Sequence, residues 1–171
     1  MIFKGLKHTV LKNKFDTLLA QTEGCRTVPL HKIQSVGIIT LEEISSKIDL
    51  QKEIGAMLGV RNVKIYNLRK FSKTDEFSYK HFTEKDINWK GKFTQTSFQV
   101  FLEEPLDLII GYFTTKNILL ETAVLQSKAQ FKVGFSGINP YLYEIEISEK
   151  IENILAFTSE LKRYLKIINK L

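Results

Sequence analysis

The 171 residues carry 25 Lys and Arg against 19 Asp and Glu, a formal net charge of +6, with 43% hydrophobic and 26% charged residues. A chain of this length buries about 70% of its unfolded surface, so it needs neither disulfide nor metal to fold. One cysteine, Cys25, excludes an internal disulfide, and 3 Pro with 9 Gly leave no room for a long linker. One α/β domain over residues 1–171 is therefore expected. The longest apolar run, Leu106 to Phe113, is broken by Asp107, well short of the roughly 20 residues a bilayer span needs. Lys4, Lys7, Lys12 and Lys14 interrupt every early apolar run, which argues against a signal peptide and predicts a cytoplasmic protein. The charge is uneven: residues 1–32 hold six basic and two acidic side chains, 6 − 2 = +4, and the rest only +2. Nucleic acid is thus an unlikely partner for the folded body.

Phe3, Leu6, Val10, Phe15, Leu18 and Leu19 recur at near-helical spacing among lysines, predicting a basic amphipathic helix over residues 1–22 that packs on the domain. Peripheral membrane contact through residues 1–21 is the less favoured reading of such a helix. Thr22-Glu23-Gly24 supplies its stop. Lys32 to Thr40 reads as strand one, Ser45-Ser46 as the cap of a helix running to Leu58, and Val63 to Phe71 as strand two at an edge. Ser72 to Pro105 is irregular and rich in aromatics, and is read as a crossover of short helices and packed loops.

Leu106 to Phe113 reads as the central strand three. Thr114 to Asn117 offer capping side chains for a helix on Leu119, Leu120, Ala123 and Val124. Phe131 to Ser136 is strand four. A parallel return needs a crossover of a dozen or so residues, so Tyr141 to Ile147 is expected as strand five, antiparallel to strand four. A last helix is expected from about Ser148, with Glu149 and Glu152 near its start. Right-handed crossovers then give a three-layer, Rossmann-like domain: five strands, mostly parallel, in the order 2-1-3-4-5 with the last reversed.

The text Leu-Asp-Leu-Ile-Ile-Gly-Tyr at 106–112, with Gln-Ser-Lys-Ala-Gln-Phe-Lys-Val-Gly-Phe-Ser at 126–136 and Leu-Tyr-Glu-Ile-Glu-Ile at 142–147, resembles a family of small uncharacterised bacterial proteins from Bacteroidetes. Ser35 to Ile38 and Asp86 to Gly91 extend the likeness over most of the chain. Its motifs are structural, and the resemblance implies no activity. Asp107 to Phe135 is also similar to the amino-terminal half of heptosyltransferase-like glycosyltransferases, whose second nucleotide-sugar domain this chain has no room for.

His8, His31, His81 and Cys25 show no zinc spacing, so no metal and no cofactor is expected. No Gly-x-Ser-x-Gly elbow, dinucleotide fingerprint or Walker loop occurs, and Gly37, Gly111 and Gly134 fall inside strands, where packing is their ordinary role. Glu42 and Glu43 follow strand one and are expected to be solvated, and Asp107 is expected to make a structural hydrogen bond. Phe77, Tyr79, Phe82, Trp89 and Phe93 near Lys80, Lys85, Lys90 and Lys92 could stack bases, yet packing is the commoner use of such residues. The expectation is a non-enzymatic binding or interaction domain with a protein partner or self-association. The alternative is a small enzyme or sensor for a phosphorylated molecule at the strand carboxyl ends. There an anion would meet Thr40, Thr114, Thr115, Lys116 and Ser136.

Overall fold

The computed structural model describes residues 2–22, 31–74 and 78–171, with side chains from residue 7 onward. A helix α1 (Ile2–Thr22) precedes β1 (Ser35–Leu41), the short α2 (Glu42–Ser45), α3 (Leu50–Leu58) and β2 (Asn62–Leu68). There follow β3 (His81–Phe82), α4 (Thr96–Glu103), β4 (Leu108–Tyr112), α5 (Ile118–Gln126), β5 (Phe131–Phe135), β6 (Ile145–Ile147) and α6 (Ile154–Ile167). The sheet has the order β3-β2-β1-β4-β5-β6, and every pair in it is parallel.

The winding of the five strands read from the sequence is present in this order, with two corrections. The sixth strand is β3, two residues long, and it displaces β2 from the edge. The second correction concerns the final strand, which is parallel: Val133 pairs with Ile145 and Phe135 with Ile147. Residues 136–144 make the return without a helix. Nine residues reach up to about 30 Å when extended, whereas retreating along a three-residue strand needs only about 10 Å. The dozen-residue rule describes crossovers that carry a helix along a long strand, and β6 is too short to need one.

Register separates the two faces of the sheet. Tyr66, Ile39, Gly111 and Gly134 fall in one row, and Thr40 and Tyr112 in the next, on the opposite face. Phe98 and Phe101 of α4 pack on Tyr66 at centroid distances of 4.9 and 4.8 Å. Lys132, in the same face as Ile109, reaches the carboxyl end of α5. Helices α4 and α5 therefore cover one face, with α1 laid over α5. On the other face Phe157 of α6 meets Tyr112 and Phe135 edge-on and tilted, at 5.0 and 4.7 Å, and α3 packs beside α6. A sheet covered on both sides explains why its strands are apolar runs without alternation.

Helix starts are set by single side chains. Asp49, not Ser45 or Ser46, caps α3 by accepting the Lys52 N–H, and Asn153 caps α6 by accepting the Ala156 N–H. Consequently Glu149 and Glu152 precede α6 and do not sit in its first turn. In α1, Leu11, Phe15 and Leu19 are buried at four-residue spacing, and Lys7 Nζ donates to the Glu84 carbonyl at 3.2 Å. The expected stop at Glu23-Gly24, and Cys25, lie outside the described residues. No helix among the described residues is long and apolar enough to cross a membrane.

Two of the strand glycines have a specific task. A Cβ at Gly111 or Gly134 would run into the Tyr143 ring, which is 1% exposed. Without side chains at these adjacent positions, the 136–144 return can lie flat on the sheet. Gly134→Ala is expected to destabilise the fold by about 1–3 kcal/mol through overpacking. Denaturant unfolding should show a clearly smaller loss when the substitution is made in a Tyr143→Leu background, because the two positions share one space. Additive losses would mean that the ring does not set the requirement for glycine.

Candidate functional site

At the carboxyl ends of β1, β4 and β5, the five residues singled out from the sequence lie at one end of the sheet. Thr40 is fully buried on the α3–α6 face, and its Oγ1 donates to the Tyr112 carbonyl at 2.6 Å. Its hydroxyl is occupied in holding β1 to β4. Thr114, Thr115 and Lys116 are exposed in the loop before α5, and Ser136 is exposed just after β5. The cap of α5 is Asn117, whose Oδ1 accepts the Leu119 and Leu120 N–H groups at 3.0 and 3.4 Å. Glu121 Oε1 accepts the Asn117 N–H at 2.9 Å. Helix α5 thus begins after Thr114, Thr115 and Lys116, and the N–H groups of Asn117, Leu119 and Leu120 at its start are already paired.

The space above Gly111 and Gly134 at this end is filled by Tyr143. Its hydroxyl makes no hydrogen bond among the described residues, and burial, with the nearby carboxylates of Glu121 and Glu146, holds its proton on far above the usual phenol range. Burial also pushes the Glu121 carboxyl up, against the Asn117 N–H, the Asn139 side chain and Lys116, while Asp16 of α1 adds to the rise. These groups close the β4–β5 side of that end over a packed interior, while a concavity of about 380 Å³ remains beside β2, lined by Ser45, Ser46, Asn67 and Lys80 among others.

One constellation was invisible in the sequence. His81 Nδ1 lies 2.6 Å from Ser78 Oγ, and Nε2 lies 3.3 Å from Glu42 Oε1. A hydroxyl, an imidazole and a carboxylate in a row suggest nucleophile activation. Here, however, Ser78 Oγ also accepts the Lys80 N–H at 3.2 Å, so the serine and histidine close the turn leading into β3. Glu43 is exposed, as Glu42 is in part. Asp107 Oδ2 accepts from Gln34 N, Ser35 N and Ser35 Oγ at 2.8 to 2.9 Å, a structural clasp at the opposite end of the sheet. Among the described residues no three His, Cys, Asp or Glu side chains come together as metal ligands.

The aromatic crossover divides into core and surface. Phe82, Phe93 and Phe98 form a buried stack, with Phe82 and Phe98 4.2 Å apart and nearly coplanar. Tyr79 and Trp89 are exposed, at 71% and 51%, Lys85 sits over the Phe71 ring at 3.5 Å, and Phe77 lies outside the described residues.

An open concavity also lies at the amino-terminal end of the strands. A groove of about 930 Å³ runs between α1, the turn at 90–93, and the carboxyl ends of α4 and α5. Five lysines line it, Lys14, Lys90, Lys92, Lys128 and Lys132, against one acid, Glu103. Lys132 is pinned: its Nζ donates to the carbonyls of Val124, Leu125 and Ser127, each at 3.0 Å. That caps the negative end of the α5 dipole. The other four ammonium groups form no ion pair or side-chain hydrogen bond among the described residues. The turn that carries two of them is rigid, because Asn88 Oδ1 accepts the Lys90 and Lys92 N–H groups at 2.8 and 3.1 Å. Gln126 Nε2 ties Gly91 to α5 through its carbonyl. Gly91 has φ of 73°, a left-handed conformation that suits glycine, and the stem of Lys14 lies beside it.

Fold and groove define an α/β domain with a wholly parallel six-stranded sheet and a basic flank. Residues 7–168 match the profile of a family of unknown function, DUF6913, and the chain belongs to that family. No curated protein and no solved structure matches it significantly.

Burial pulls the Lys132 ammonium down to about 8, with Lys128 adding to the fall and Glu144 opposing it. The ordinary value is 10.5, so between about pH 8 and 10.5 the unfolded chain holds a proton that the folded chain has released. Stability contributed by this residue should therefore rise with pH across that window. Urea unfolding from pH 7.5 to 10.5 should show a flatter profile for Lys132→Met than for wild type. Parallel profiles would place the titration of Lys132 outside this range.

Proposed function

We propose that this chain is a non-enzymatic binding domain and that it holds an anionic ligand in the lysine-lined groove. The observation that carries this reading is the contrast between the two ends of the sheet. At the carboxyl ends of β4 and β5, Tyr143 fills the space cleared by the glycines, and the side chains of Thr40, Asn117 and Glu121 are bonded to the backbone. At the opposite end four lysines from α1, the 90–93 turn and the end of α5, with no ion pair among the described residues, line one concavity. Mutual repulsion of such charges favours whatever anion neutralises them. Among the described residues that line the groove, no base stands beside a nucleophile, which supports binding without turnover.

A thermal-shift screen of nucleotides, sugar phosphates and inorganic phosphates checks the reading. A ligand present at 100 times its Kd stabilises the fold by about 2.7 kcal/mol, and the shift should vanish in Lys14→Gln/Lys90→Gln yet persist in Lys116→Ala. Mass spectrometry after prolonged incubation should recover the ligand unchanged. Loss of the shift in Lys116→Ala alone would return the site to the strand carboxyl ends, and conversion of the ligand would make the protein an enzyme.

A further inference from the structure

The groove is not uniformly basic. Its charged part is built from Lys14, Lys90 and Lys92, gathered around Gly91, whereas Leu18 supplies apolar surface to the same lining, which the buried Leu102 and Leu125 border. Leu18 is 37% exposed although it belongs to the helix that packs on the domain. A simple anion such as phosphate would use the ammonium groups and leave this apolar surface wet. The volume, about 930 Å³, lies at the upper end of the roughly 300–1,000 Å³ range of small-molecule sites. It suits a molecule with a sizeable uncharged body as well as a charged tail.

We infer that the groove is a site for a nucleoside di- or triphosphate, its phosphates on Lys14, Lys90 and Lys92 and its uncharged body on the apolar side. This rests on the anion-binding reading above and narrows it to a ligand class. Lysines suit the task as mobile point charges that follow a flexible phosphate chain. The backbone N–H groups of Lys90, Gly91 and Lys92 are already taken by Asn88, so recognition falls to the side chains, and affinity should drop as salt rises. A nucleic acid strand fits less well. Glu103 stands in the lining, and a strand would need basic surface continuing beyond the groove.

The chain has a single tryptophan, Trp89, next to Lys90, so its fluorescence reports on the charged end without labelling. The test is titration of the full chain with ATP, pyrophosphate, adenosine and a 15-nucleotide oligothymidine, confirmed by calorimetry. ATP should bind at least 10-fold more tightly than pyrophosphate and adenosine only weakly. Lys14→Gln and Lys90→Gln should each weaken ATP at least 5-fold, and Lys150→Gln, outside the groove, should leave it unchanged. If pyrophosphate binds as tightly as ATP and both depend on Lys14 and Lys90, the anion site stands and the nucleotide assignment falls. Failure of every probe up to millimolar concentration, or binding indifferent to both lysines, overturns site and ligand together. Oligothymidine binding more tightly than ATP would overturn the small-molecule assignment in favour of a nucleic acid strand.

Discussion

The Tyr143 ring resting on Gly111 and Gly134 is the contact on which the carboxyl half of the fold depends. It lets residues 136–144 run back across the sheet in contact with it, so that Ile145 to Ile147 add to β5 in the parallel sense. Glu144 fastens the start of that strand, accepting the Lys132 N–H at 2.6 Å and donating its own N–H to the Lys132 carbonyl at 2.9 Å. The same ring fills space at the carboxyl ends of β4 and β5, beside the reversal of winding between β1 and β4 where such sheets ordinarily receive a ligand. One packing decision therefore sets the topology of the last strand and fills one side of that end of the sheet.

Closure at one end changes the meaning of polar residues there. Glu121 is buried against the Asn117 N–H and Asn139, and Tyr112 donates to the Ile151 carbonyl at 2.7 Å while burial and Glu152 push its phenol up to about 12. Perturbed ionisation in a cleft points to chemistry. In a filled interior it reflects the cost of burying a polar group that then binds the nearest backbone. Both side chains join elements: Glu121 ties α5 to its own cap, and Tyr112 ties β4 to the loop before α6.

Much of the sheet was legible because a strand buried on both faces writes itself as an apolar run, as in Leu108 to Tyr112 and Ser35 to Leu41. The order of the longer strands followed from the hand of their crossovers. What was not legible has physical causes. Strand β3 is two residues held by Asn67 N to Lys80 O and Arg69 N to Phe82 O, too short to carry a period. The parallel β6 depends on Tyr143 finding two adjacent glycines across strands, a match visible only once register is known. Asn117 was among the capping side chains read from the sequence, but capping by Asp49 and Asn153 was not, because Ser45 and Ser148 are equally acceptable by type. The groove lysines are spread from position 14 to position 132, so no local stretch marks them as a group.

Two of those lysines are explained by the fold, and three are not, which gives the groove its character. The carboxyl ends of α4 and α5 both point into it, bringing carbonyl dipoles of negative sign. Lys132 answers the α5 end with three hydrogen bonds, and Lys128 follows that helix end while its N–H binds the Leu102 carbonyl of α4 at 2.8 Å. Lys14 comes from the middle of α1, and Lys90 and Lys92 from a turn whose own backbone is satisfied by Asn88. Among the described residues none of these three has a helix end or a paired carboxylate of its own to complement. Helix α1 could have offered a neutral side chain at position 14, where the stem lies on Gly91, without loss of the Leu11, Phe15 and Leu19 contacts that dock it. Cations kept together where folding does not require them raise the energy of the unliganded domain. An anion bound between them would remove that repulsion, which is why the proposal rests on charge unaccounted for by the fold and not on the winding of the sheet.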